Sequence, residues 1–263
     1  MSYSIAIAGK GGSGKTTIAS LIISILLRTG RKPVLAVDAD PNSNLNELLG
    51  VRVERTVVNV ADKVMEGKND LPAGLTKERV LELYFQDALI ESNGFDLLVM
   101  GRTEGPGCYC HANNLLRNLM DRLQQNYPYV VMDNEAGMEH LSRRTTRNAD
   151  ALLVVANPHP VSLKSAQRIF EVSGELNLVI KERYLVINET TPSSEILEIE
   201  TKEMPLLARI PYDREVERLS LSGSSLLNLT PHSVALRSVH QMVERLLPKD
   251  HSPNLDQKGD KNK

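Results

Sequence analysis

The sequence predicts a doubly wound α/β fold, a mostly parallel sheet of about seven strands with helices on both faces. Three observations carry that reading. Short apolar runs rich in β-branched residues recur along the chain, longer segments of helical period separate them, and a glycine-rich loop joins the first run to the first helix.

The runs occupy residues 5–8, 33–37, 95–100, 129–132, 151–155, 184–187 and 206–210. Their hydrophobicity is continuous rather than alternating, so both faces of each strand are covered, as in parallel strands linked by helical crossovers. The helix after the first run opens near Thr16 and is apolar almost all round through Leu27, which suits a central helix, and Gly30 marks its stop. Residues 51–92 break the rhythm. Two polar-rich helical patches at 58–66 and 76–90, joined by GKNDLP, read as a helical insertion between the second and third strands. Residues 252–263 are Lys/Asp-rich and aperiodic, too polar to bury a core. The predicted organisation is a single domain over 1–250 with the insertion at 51–92, then a disordered polar tail at 251–263.

Composition narrows the function. The 263 residues are 24% charged and 41% hydrophobic, with a net charge of −2. Near-neutral charge without a Lys/Arg block argues against a general nucleic-acid surface, whose affinity comes mainly from phosphate neutralisation. The longest apolar run, 18–27, is half of the roughly 20 residues that span a bilayer, and no basic segment with a cleavage site opens the chain. The expectation is a cytoplasmic protein with no membrane and no nucleic-acid partner. Its two cysteines, Cys108 and Cys110, are too close in sequence for a conventional structural disulfide.

Residues 9–16, GKGGSGKT, fit G-x-x-x-x-G-K-[ST] directly after a strand and before an apolar helix, the context a phosphate-binding loop requires. Gly11, Gly12, Ser13 and Gly14 let backbone N–H groups turn inward around phosphate oxygens, and the helix opening at Thr16 and Thr17 adds its positive end. Lys15 reaches the outer phosphates, and the Thr16 hydroxyl is placed to ligate Mg²⁺. After the second strand comes Asp38-Ala-Asp40-Pro41, at a strand's carboxyl end where ligands bind in open α/β sheets. Carboxylates there face a Mg²⁺–phosphate group, or cap the turn and helix that follow. The fourth strand ends in Asp133-Asn-Glu-Ala-Gly137, and a strand-end aspartate there can hold a magnesium-bound water. No guanine-reading signature occurs, which favours ATP over GTP.

With Lys10 one residue after Gly9, the loop resembles the deviant Walker A family of P-loop ATPases, K-G-G-x-G-K-T-T, which includes MinD and ParA. The resemblance implies an Mg²⁺-dependent ATPase that dimerises around ATP. Lys10 would cross the dimer interface to the partner's phosphates, where a cation stabilises the charge of phosphoryl transfer. By the same resemblance Asp38 supports the magnesium region through its water shell, Asp40 orients the attacking water, and Asp133 belongs to the second switch. Asn188 stands where the family has its adenine-contacting asparagine, an amide offering both donor and acceptor. Pro211 and Asp213, with Tyr212, fall in a stretch like the family's base-packing loop, or in an ordinary turn. Glu135 and Glu189 depart from the family's usual residues at their positions.

Cys108-Tyr-Cys110 follows the third strand, on the side of the sheet that carries the phosphate loop. In an extended segment residues i and i+2 point the same way, so two thiolates can chelate one soft ion. A two-fold dimer supplies the pair twice and completes a four-thiolate site for Ni²⁺ or Zn²⁺. A buried pair of small apolar cysteines or a redox couple are the alternatives. The C-x-C, together with DNEAGMEH at 133–140, resembles the CooC-type nickel-insertion ATPases that mature carbon monoxide dehydrogenase. That implies ATP-dependent delivery of nickel to an apo-enzyme, with acetyl-CoA synthase as an alternative client. A positioning ATPase of MinD/ParA type without a metal role is the competing class.

Overall fold

The computed structural model describes residues 2–42, 44–66, 87–102, 120, 122–136, 148–175, 179–194 and 204–248. Strands β1 (Tyr3–Gly9), β2 (Val34–Asp38), β3 (Leu89–Glu91), β4 (Phe95–Val99), β5 (Tyr129–Asp133), β6 (Asn148–Ala156), β7 (Val179–Thr190) and β8 (Leu206–Pro211) form one sheet. Its order is β3-β4-β2-β5-β1-β6-β7-β8. Every pairing is parallel except that of β3 with β4. All seven predicted runs are strands. The eighth, β3, corrects the reading of the insertion, because residues 89–90 were expected to end a helix and instead, with Glu91, pair antiparallel with 96–98. The rest of the second helical patch, residues 76–86, and the predicted tail lie outside the described residues.

Alternate side chains of the central strands feed opposite faces, which explains the unbroken hydrophobicity. On one face Ile5, Ile7, Val131, Leu153 and Val186 pack with α1 (Lys15–Arg28), α2 (Leu45–Leu49) and α6 (Val234–Leu246). On the other, Leu35, Val37, Leu98 and Val130 meet Val57, Val58 and Val60 of α3 (Val57–Glu66). Ala6, Ala8, Leu152 and Leu185 on that face meet Ala166 and Ile169 of α4 (Pro160–Glu175). The short α5 (Arg214–Leu221) follows β8. Among the described residues no helix is long and apolar enough to cross a membrane.

The central helix is buried nearly all round, from Ile18 to Leu26. It stops as predicted. Gly30, at φ 74°, donates to Leu27 O at 3.2 Å, and Arg31 donates to Leu26 O at 2.8 Å, the paired bonds of a left-handed C-terminal cap.

Candidate functional site

β1 lies at the centre of the sheet, and β5 and β6 flank it, so the loop leaving its carboxyl end opens over the crevice where doubly wound sheets bind ligands. Gly9 is needed there, because a Cβ would sit 2.4 Å from Val155 O and 2.8 Å from Ser13 Oγ. The loop closes on itself through Ser13 N, which donates to Lys10 O at 3.2 Å. Gly14 takes φ 87° and precedes α1 with no side-chain cap, so the first N–H groups of the helix stay available to an anion.

The two lysines of the loop differ sharply. Lys15 is 7% exposed and its Nζ lies 3.5 Å from Lys10 O, folded over the loop, whereas Lys10 is exposed with Gly11 and Gly12. The first cation is held against the loop of its own chain, and the second stands in solvent.

The strand-end aspartates surround this loop. Asp38 and Asp133 are register partners at the ends of β2 and β5, and both are essentially inaccessible. Asp38 Oδ1 accepts from Asp40 N at 3.1 Å and Oδ2 from Leu45 N at 3.0 Å. The carboxylate therefore fastens the turn after β2 to the start of α2, which is the capping role open to it in the sequence. Burial pushes its carboxyl up to about 7, against the pull of the Leu45 and Asp40 N–H groups. Asp40 is half-buried, and its Oδ1 accepts from Asn42 N at 2.8 Å.

Asp133 is used differently. It hydrogen-bonds with the Thr16 hydroxyl, and burial raises its carboxyl to about 6 although Thr16 and the nearby Lys15 charge lower it. Its Oδ1 is buried without a hydrogen bond. A carboxylate oxygen lacking a partner, beside a threonine hydroxyl at the head of α1, is the hard-oxygen donor set that Mg²⁺ takes together with phosphate oxygens and water. Among the described residues no three His, Cys, Asp or Glu side chains converge as a metal site.

Asn134 is a residue that sequence reasoning passed over. Its backbone N–H and its Nδ2 both donate to Ile7 O, at 3.1 and 2.9 Å, and clamp the chain after Asp133 to β1. Ala136 follows it to the phosphate loop, its Cβ 3.7 Å from where a Cβ on Gly11 would stand. Only the direct step from a strand-end aspartate to a buried amide hints at this in the sequence.

The expected base-contacting residues come from the ends of β7 and β8. Asn188 is 5% exposed, and its Nδ2 donates to Ser13 O at 3.1 Å. Glu189 adopts φ 57°, and Asn157 Nδ2 donates to its Oε2 at 2.8 Å. Pro211 pairs with Thr190, whose carbonyl accepts from Tyr212 N at 2.9 Å, while the Tyr212 ring is exposed and its hydroxyl donates to Glu217. Asp213 has a structural task that the resemblance did not suggest. Its Oδ1 caps α5 through Glu215 N at 2.8 Å, and its Oδ2 accepts from Ser233 Oγ at 2.7 Å and Ala235 N at 3.0 Å. One carboxylate thereby ties the starts of α5 and α6 together. Burial raises this carboxyl, but the Ser233 hydroxyl and the N–H donors outweigh it and hold the group below the usual carboxylate value. Cys108, Cys110, Gly137 and His140 lie outside the described residues.

Residues 3–190 match the model of the AAA domain family AAA_31. An uncharacterized ATP-binding protein of Methanocaldococcus jannaschii is 40% identical over 250 residues, covering 93% of this chain and 98% of that protein. The carbon monoxide dehydrogenase accessory protein CooC of Rhodospirillum rubrum is 30% identical over 240 residues, covering 86% and 90% respectively. In structure the chain resembles the septum site-determining protein MinD of Pyrococcus horikoshii OT3, solved with Mg-ADP, at a TM-score of 0.67 and 22% identity over 94% of this chain and 96% of that one.

Proposed function

The chain belongs to the AAA domain family AAA_31, as a P-loop ATPase of MinD/ParA type, and from that premise we propose that it is a Mg²⁺-ATP-driven dimeric switch that delivers nickel to an apo-enzyme. The ATPase half of this reading is carried by one observation, the unpartnered buried Oδ1 of Asp133 beside the Thr16 hydroxyl and the Lys15 charge. Thr16 and Asp133 would hold Mg²⁺, the first directly and the second directly or through water, and Asp38 reaches that region through the turn it fastens. When bound there, the cation would supply charge neutralisation for the phosphoryl group being transferred. Lys15 and the N–H groups of residues 11–17 bind the triphosphate, and Asp40 orients the attacking water. Lys10 reaches the phosphates of a second copy, which makes hydrolysis depend on dimerisation.

Nickel is the cargo. What supports that part is the Cys108-x-Cys110 spacing, and the 30% identity over most of the chain with a carbon monoxide dehydrogenase accessory protein. Two copies supply four thiolates, a set that suits Ni²⁺ and also accepts Zn²⁺. ATP favours the closed dimer and the assembled thiolates, and hydrolysis loosens both and releases metal. The client is a nickel enzyme, carbon monoxide dehydrogenase or acetyl-CoA synthase. The test is activation of apo carbon monoxide dehydrogenase by limiting Ni²⁺, with this protein and ATP. Acceleration that requires ATP and is lost in Cys108→Ala/Cys110→Ala is expected. Equal activation by wild type and variant removes the nickel role and turns the reading to a positioning ATPase.

A further inference from the structure

A phosphate loop that turns its N–H groups inward must turn some carbonyls outward, and each outward carbonyl that is buried needs a donor. For Ser13 that donor comes from two strands away. Asn188, 175 residues later in the chain, reaches from the end of β7 past the end of β6 and places Nδ2 3.1 Å from Ser13 O. Contact is close enough that a Cβ on Gly14 would stand 2.1 Å from the same nitrogen, so the loop's backbone rests directly on the amide. The backbone next to it is fixed as well. Neighbouring Glu189 sits in the left-handed region at φ 57°, with its carboxylate bound by Asn157 at the end of β6.

We propose that Asn188 is a positioning residue for the phosphate loop, holding the Ser13 carbonyl outward so that the loop's N–H groups converge on the triphosphate whether or not a base is present. The inference rests on the ATP-binding reading and is independent of nickel. It differs from base recognition in one measurable respect. A residue that only touches adenine contributes nothing to a ligand without a base, whereas a residue that shapes the loop contributes equally to both.

The experiment compares binding of Mg²⁺-ATP and Mg²⁺-tripolyphosphate to wild type, Asn188→Ala and Asn188→Leu, with melting temperature measured in the absence of either ligand. Removing one buried hydrogen bond and orphaning its partner predicts that both ligands weaken by a similar factor, about ten-fold, in Asn188→Ala. Asn188→Leu keeps the approximate size without a donor or a charge, so it predicts a similar loss for both ligands, and it carries the comparison if the alanine variant does not fold. Loss of ATP affinity with tripolyphosphate affinity unchanged overturns the proposal and leaves Asn188 a base contact alone. Unchanged affinity for both overturns it too. Failure of the wild type to bind ATP would instead contradict the ATPase reading itself.

Discussion

Asp38 and Asp133 stand opposite each other at the carboxyl ends of adjacent parallel strands, and their carboxylates are used in opposite ways. Both oxygens of Asp38 accept backbone N–H groups of the turn that follows it, while one oxygen of Asp133 is buried with no protein partner. One aspartate fastens the turn after its strand, and the other keeps an oxygen unpartnered beside Thr16.

Asp133→Asn replaces an anionic oxygen by an amide of the same size beside Thr16. Mg²⁺-dependent ATP hydrolysis is expected to fall by roughly ten- to hundred-fold, the scale seen when a group that orients a metal's shell is altered. Stability should hold or rise, since a buried carboxylate with one unpartnered oxygen, whose desolvation outweighs the help of Thr16 and Lys15, is removed. Hydrolysis rates against Mg²⁺ concentration, beside a urea melt, check both halves.

Asp38→Asn acts on the fold first. An amide offers one acceptor oxygen where two N–H groups, those of Asp40 and Leu45, now find two. One donor is orphaned in a fully buried position, a loss of about 1–3 kcal/mol. The shift in urea midpoint at constant slope measures it, and a rate effect through Asp40 should accompany it.

Asp213 sets a pH dependence. Its folded carboxyl titrates below the ordinary value, so the unfolded chain binds the proton more readily. The stabilisation is present above the ordinary carboxylate value and is lost as pH falls through the lower folded one. Asp213→Asn should destabilise the fold at neutral pH by about 1–2 kcal/mol for the weakened caps, read as a lower melting temperature. It should also make the acid limb of the stability profile shallower. A parallel profile in the variant would contradict the assignment.

The burial contrast between the two loop lysines separates their variants. Lys15→Ala removes the cation folded over the loop and should abolish ATP binding. Lys10→Ala, altering an exposed side chain, should leave ATP binding to the single chain nearly intact and suppress hydrolysis that rises with protein concentration. Nucleotide titration and rate against concentration distinguish them.

What the sequence reveals here is what short-range pattern encodes. Six largely buried strands announce themselves as apolar runs. So does β8, although this edge strand is only half-covered, against the expectation that both faces of every run are buried. The phosphate loop shows itself by glycines at fixed spacing between a strand and a helix. The three-residue β3 leaves no period to read, and its residues continued a helical pattern until pairing with β4 decided otherwise. The site residues Lys15, Thr16 and Asp133 are legible because a strand end or a helix start fixes where they point. The tasks of Asn188, Asn134 and Asp213 are not, since each depends on a partner many residues away: Ser13 O, Ile7 O and Ser233 Oγ.

Metal stoichiometry and oligomeric mass, measured together on the reduced protein with and without Mg²⁺-ATP, test the central claim most directly. The account predicts one Ni²⁺ per dimer with nickel–thiolate absorption, strengthened by ATP and lost in Cys108→Ala/Cys110→Ala while the ATP-driven dimer still forms. A dimer that binds ATP but takes up neither Ni²⁺ nor Zn²⁺, or takes them up equally without the two cysteines, would contradict it.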